Sequence, residues 1–136
     1  MYSTKLSVSI HIMCLIALTN TQPVTSEYIA SSINTNPALV RRLMSRLRKA
    51  QLIETSTRVG ITGLAKKEED ITLLDIFEAV EEKSDLFGIH SNTNHKCPVG
   101  AKIESTLKHL YSNIQGAAEN EMSAITLADI SKEFIQ

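Results

Sequence analysis

The chain has 136 residues, 43% of them hydrophobic, which is the size and apolar content of about one folded domain and argues against disorder. No apolar run approaches the roughly 18 residues of a membrane span, and the run from Ile10 to Leu18 lacks the charged start and cleavage site of a signal peptide. The formal net charge of −1 hides a split: residues 1–67 hold nine Lys or Arg against two acids (+7), and residues 68–136 hold five Lys against thirteen acids (−8).

Ser3 to Leu18 places Leu6, Ile10, Met13, Cys14 and Ala17 at steps of three and four, which predicts an amphipathic helix with that stripe inward. Residues 19–24 (TNTQPV) are turn chemistry. Thr25 or Ser26 is then placed to cap a short second helix through Ile33, with Tyr28, Ile29 and Ile33 on its apolar side. After a tight turn, Asn36 caps a third helix that Pro37 opens, a position where its missing N–H has no partner to lose. Val40, Leu43, Met44 and Leu47 form the inward stripe of that helix, while Arg41, Arg42, Ser45, Arg48 and Lys49 face outward. Two helices joined by a short turn, the second basic on its outer face, have the form of a helix-turn-helix. Residues 52–55 and 58–65 then predict two short strands around a glycine-containing tip, a wing with Arg58 at or near its end.

In the acidic half, Thr72 and Asp75 have the spacing of a capping-box variant, starting a helix that runs to about Glu82. Residues 84–98 predict a polar loop, and loops that long inside a small domain tend to carry function. From Val99 an apolar stripe passes through Ile103, Leu107, Leu110, Tyr111, Ile114, Ala118 and Met122. A helix that long cannot be wrapped by its own small domain, so the stripe predicts pairing with a second copy. Residues 125–130 (ITLADI) repeat residues 71–76 (ITLLDI), and are expected to form a second capped helix start rather than a duplicated domain. The expected fold is mainly α: a winged helix-turn-helix over 1–67, a connecting helix and sensor loop over 68–98, and a dimerisation helix with a capped tail helix over 99–136.

Five of the fourteen cations fall between Arg41 and Lys49, and no acid lies between Thr35 and Leu52 to pair with them along the helix. A merely solvated face is the plainer reading, but concentrated unpaired charge is what a phosphate surface demands, so duplex DNA is the expected partner. Few aromatics disfavour stacking on single strands. Asn36, Ala38, Arg41 and Arg42 are candidates for base edges, and Arg46, Arg48, Lys49 and Arg58 for phosphates, with Arg58 suited to the minor groove. Cys97, in His95-Lys96-Cys97-Pro98 at the expected start of the long helix, has the setting of a low-pKa thiol and is the candidate sensor. Cys14 reads as a small core residue, with oxidative pairing to Cys97 left open. Two cysteines make no disulfide framework and point to a reduced, cytoplasmic setting. His11, His90, His95 and Cys97 follow no zinc spacing. Without a phosphate loop, nucleophile elbow or paired-carboxylate motif, no enzyme and no cofactor are expected.

The ordered phrases Ser3-Thr4-Lys5, residues 34–37 (NTNP), residues 45–50 (SRLRKA), residues 71–76 (ITLLDI), Cys97-Pro98 and residues 125–127 (ITL) resemble the Rrf-two family of bacterial winged-helix regulators across nearly the whole chain. The resemblance implies a homodimer, two winged helices held by the long helix, bound to an imperfect palindrome in promoter DNA, with repression the family tendency. Cluster-binding members of that family carry three cysteines in the loop. The matching positions here are near Asp85 and Ser91 and at Cys97, and a ligand histidine three residues further on is replaced by Gly100. Another subtype draws an acid from the first helix, where this chain has Val8. One thiolate cannot hold an iron cluster, so no metal is expected, and Cys97 is either a working sensor or a remnant of a lost site. The wing departs too, with Gly60-Ile61-Thr62 in place of a glycine pair followed by an aromatic. Two other readings compete: a protein-interaction regulator acting through a partner enzyme, and a metal-responsive sensor.

Overall fold

The computed structural model describes residues 3–19, 24–56, 60–83 and 85–135, without the side chain of Thr62. The expected position of Arg58 at the wing tip, and most of the expected turn before the second helix, lie outside those residues. Helix α1 (Lys5–Leu18) packs against four other helices and the wing, so it is covered on more than one side. Met13, Cys14 and Ala17 of the expected stripe are buried, but Leu6 and Ile10 are only half-buried. The deepest aliphatic positions include Ile12 and Ile16, which the single-stripe reading left out.

Thr25 caps α2 (Ser26–Ile33), its hydroxyl accepting from the Tyr28 N–H at 3.1 Å. Ile29 and Ala30 carry the packing, and Tyr28, expected on the apolar side, is exposed rather than inward. Asn34 at φ 60° ends α2 in the left-handed region, a conformation that asparagine tolerates. Asn36 then caps α3 (Pro37–Lys49), its side-chain oxygen accepting from the Leu39 N–H at 2.8 Å. Val40, Leu43 and Leu47 are buried and Met44 half-buried, as the spacing requires.

Strands β1 (Ile53–Ser56) and β2 (Gly60–Leu64) pair antiparallel, Ile53 opposite Leu64 and Ser56 opposite Gly60. The register shifts between Glu54 and Thr55, whose partners are Gly63 and Ile61, so Thr62 is the extra residue of a bulge. Val24 adds a one-residue third strand, exchanging backbone bonds of 3.0 and 3.3 Å with Ile61. Gly60 is at φ +88°, and a Cβ there would lie 3.2 Å from the Val24 carbonyl oxygen. Any side chain at that position would carry strain of about 1–3 kcal/mol.

A 3-10 turn (Glu68–Asp70) leads to α4 (Leu73–Val80). Its capping box is complete: the Asp75 N–H donates to Thr72 Oγ1 at 3.0 Å and the Thr72 N–H to Asp75 Oδ2 at 2.9 Å. The helix stops at Val80, two residues before the expected end, and α5 (Ile103–Ser123) starts four residues later than expected. Between them the chain is held by local bonds instead of a helix. Cys97 N–H donates to the Asn94 carbonyl at 3.2 Å, Lys96 N–H to Asn94 Oδ1 at 3.0 Å, and the Thr93 hydroxyl to the Gly100 carbonyl. Side-chain and turn bonds of this kind compete with helix propagation, which explains the late start.

The tail forms α6 (Leu127–Ser131), capped by Thr126 and Asp129 through the same reciprocal pair at 3.1 and 2.9 Å. The two ITLxDI phrases also bond to each other. Leu73 N–H donates to the Ile125 carbonyl at 2.8 Å, Leu127 N–H to the Ile71 carbonyl at 2.7 Å, and Thr72 bridges Thr126 antiparallel. Ile71 and Leu127 are fully buried at this junction, and α6 packs on α1, so one apolar cluster runs from Ile12 through Leu43, Ile61 and Ile76 to Leu127. Helix α5, in contrast, has no buried residue, with Leu110 and Ile114 close to half exposed. No helix among the described residues is long and apolar enough to cross a membrane.

Candidate nucleic-acid interface

The outer side of α3 follows from its burial pattern. With Val40, Leu43 and Leu47 inward, the 100° step between residues puts Ala38, Arg42, Ser45 and Lys49 near the opposite side. Arg42, Arg48 and Lys49 are exposed, and none of them forms an ion pair with a described residue. Asn36 and Ala38 are exposed at the amino end of the same helix, although the Asn36 side-chain oxygen is already engaged in the cap.

The cations on the two flanks are held differently. Arg41 approaches Glu27 of α2 at 3.8 Å, with both side chains more than half exposed. Arg46, expected to contact phosphate, turns towards the end of α4. Its Nη1 donates to the Val80 carbonyl at 2.8 Å and its Nη2 to Glu82 Oε1 at 2.6 Å. Lys5 Nζ lies 3.7 Å from the same oxygen. Arg46, with Lys5 as second cation, holds the Glu82 carboxyl below the usual carboxylate range. The absence of local acids along α3 therefore did not mean absence of partners. Glu27 and Glu82 come from other elements, and no spacing along the chain marks them.

Cys97 is exposed, five residues before the end of the turn region that precedes α5. Hydrogen bonds from the Gly100 and then the Val99 amides push its thiol below the ordinary range. Cys14 is buried in α1, and desolvation, followed by the charge of Glu68, pushes its thiol up. The loop itself is seated on α5: Leu86 N–H donates to Gln115 Oε1 at 2.9 Å, and the Phe87 and Tyr111 rings stand 5.1 Å apart. A cleft of about 410 Å³ lies between residues 85–89 and Lys108, Ser112 and Gln115 of α5. His11 is hydrogen-bonded to the Ser32 hydroxyl at 3.1 Å.

The Rrf2 profile, described as an iron-dependent transcriptional regulator, matches residues 2–133. YwnA of Bacillus subtilis (strain 168), provisionally named an HTH-type transcriptional regulator, is 41% identical over 132 residues, covering 96% of each chain. A crystal structure of a protein provisionally described as DNA-binding superposes with a TM-score of 0.75 at 37% identity, over 93% of this chain and 97% of that one. CymR, the global cysteine regulator of B. subtilis, shares the fold with a TM-score of 0.72 at 22% identity, over 97% and 96%. An iron cluster does not fit the residues present here. The loop offers one thiol, and among the described residues no three His, Cys, Asp or Glu side chains come together. At Gly100 a Cβ would collide with the Asn94 carbonyl, so no ligand side chain fits that position.

Proposed function

Because the chain belongs to the Rrf2 family of transcriptional regulators, we propose that it is a dimeric, sequence-specific repressor in the cytoplasm, occupying a palindromic promoter site through α3 of each subunit. The three stretches 1–67, 68–98 and 99–136 divide the work into DNA contact, signal reception and pairing. The observation that carries this reading is the bare cationic face of α3, where Arg42, Arg48 and Lys49 are exposed and form no ion pair with a described residue. Arg42, exposed on the outward side of α3, suits a guanine edge, and Asn36 suits a base edge through its amide nitrogen. Ala38 leaves room for close approach, and Arg48 and Lys49 take phosphates, as does Arg58 from the wing. Arg41 reaches the groove after exchanging its weak contact with Glu27. The signal is a thiol modification at Cys97 or a small molecule seated against the loop.

Titration of a fragment of the gene's own promoter tests the assignment. Arg42→Ala should weaken binding by about 1–3 kcal/mol, the worth of one good base contact, with oligomeric state and helix content retained. Unchanged affinity removes α3 as the reading helix.

A further inference from the structure

We propose that Glu82 sets the strength of DNA binding by standing on Arg46 and Lys5 in the place of a phosphate, an inference that rests on the DNA-binding reading above. One carboxylate oxygen gathers two cations from two helices: Arg46 from α3 at 2.6 Å and Lys5 from the first turn of α1 at 3.7 Å. Of the five cations of α3, Arg46 alone pairs with this acid, from a flank position one helical turn beyond Arg42. A guanidinium fork binds carboxylate and phosphate oxygens with the same geometry, so the two anions compete for one donor set.

Two features make the contact exchangeable rather than structural. The Glu82 side chain is 66% exposed, and exposed pairs are weak and salt-sensitive. Arg46 keeps a second bond to the Val80 carbonyl, so its tie to α4 survives loss of the acid.

The test compares wild type and Glu82→Gln on two probes, the promoter fragment and a mixed-sequence duplex, across a salt series. Glu82→Gln should bind both more tightly, roughly five- to tenfold near 0.1 M salt, with a log K against log salt slope steeper by about one, as one more phosphate contact requires. Adding Arg46→Gln to that variant should remove the gain, and matched melting curves establish that all forms are folded. Equal or weaker binding by Glu82→Gln, or a gain that persists without Arg46, overturns the proposal while leaving the DNA reading intact. Failure of the wild type to bind either probe at low salt removes both.

Discussion

Cys97 and Cys14 stand in opposite electrostatic settings within one chain. The sequence placed Cys97 at a helix start beside cations. In the fold, α5 begins only at Ile103, and amides of the turn at Val99 and Gly100 supply the stabilisation instead. The physics is the one expected, backbone N–H groups aimed at sulfur, delivered by a different element. Since the pKa is lowered, the thiolate of Cys97 persists as pH falls below the ordinary thiol range. Burial works against the thiolate of Cys14. In a time course of iodoacetamide labelling at neutral pH, read by peptide mass spectrometry, Cys97 should therefore react about tenfold or more ahead of Cys14. Comparable rates would remove the sensor assignment.

Between elements, the repeated phrase finds its meaning. Both copies of ITLxDI cap a helix, as the Thr-to-Asp spacing required, but each also closes on the other through backbone bonds at Leu73 and Leu127. The junction ties the carboxyl end of α5 to the start of α4 and returns α6 to α1. Thr126→Ala should lower stability by about 0.5–2 kcal/mol in urea unfolding, the usual worth of a cap. No change would show the tail cap to be dispensable. The Thr126 backbone N–H, then its hydroxyl, hold the Asp129 carboxyl below the usual range. A folded pKa below the unfolded one gives a contribution complete above the unfolded value and lost as pH falls through the folded one. Asp129→Asn should accordingly flatten the acid limb of the stability curve.

Across the whole molecule, the basic and acidic halves are joined by a single apolar core, yet α5 contributes no buried side chain to it. Helix α5 runs 21 residues with Leu110 and Ile114 close to half exposed, an apolar stripe that the second copy covers in the proposed dimer. In that proposed dimer, pairing two such helices would close the stripe and set two copies of α3 at a fixed spacing, as a palindromic site needs. Ile114→Glu should give a monomer by light scattering, and DNA affinity should fall because the two half-sites no longer bind together. A dimer that persists in this variant would place the interface elsewhere.

Sequence alone determined the parts whose causes are local. Caps at Asn36, Thr72 and Thr126, a cap at Thr25 or Ser26, the proline opening α3 and the stepwise stripe of α3 depend on residues within about four positions of each other, and the two wing strands pair across no more than eleven, so all were legible. The cationic face of α3 was legible for the same reason, as was the family likeness carried by those motifs. Only the tertiary structure decided which cations stay bare. Arg46 and Glu82 are 36 residues apart, and the two ITLxDI copies meet through backbone groups that every residue possesses, so no side-chain pattern announces either contact. Likewise α1 is buried on several sides because five elements surround it, an outcome of packing that its own periodicity does not contain.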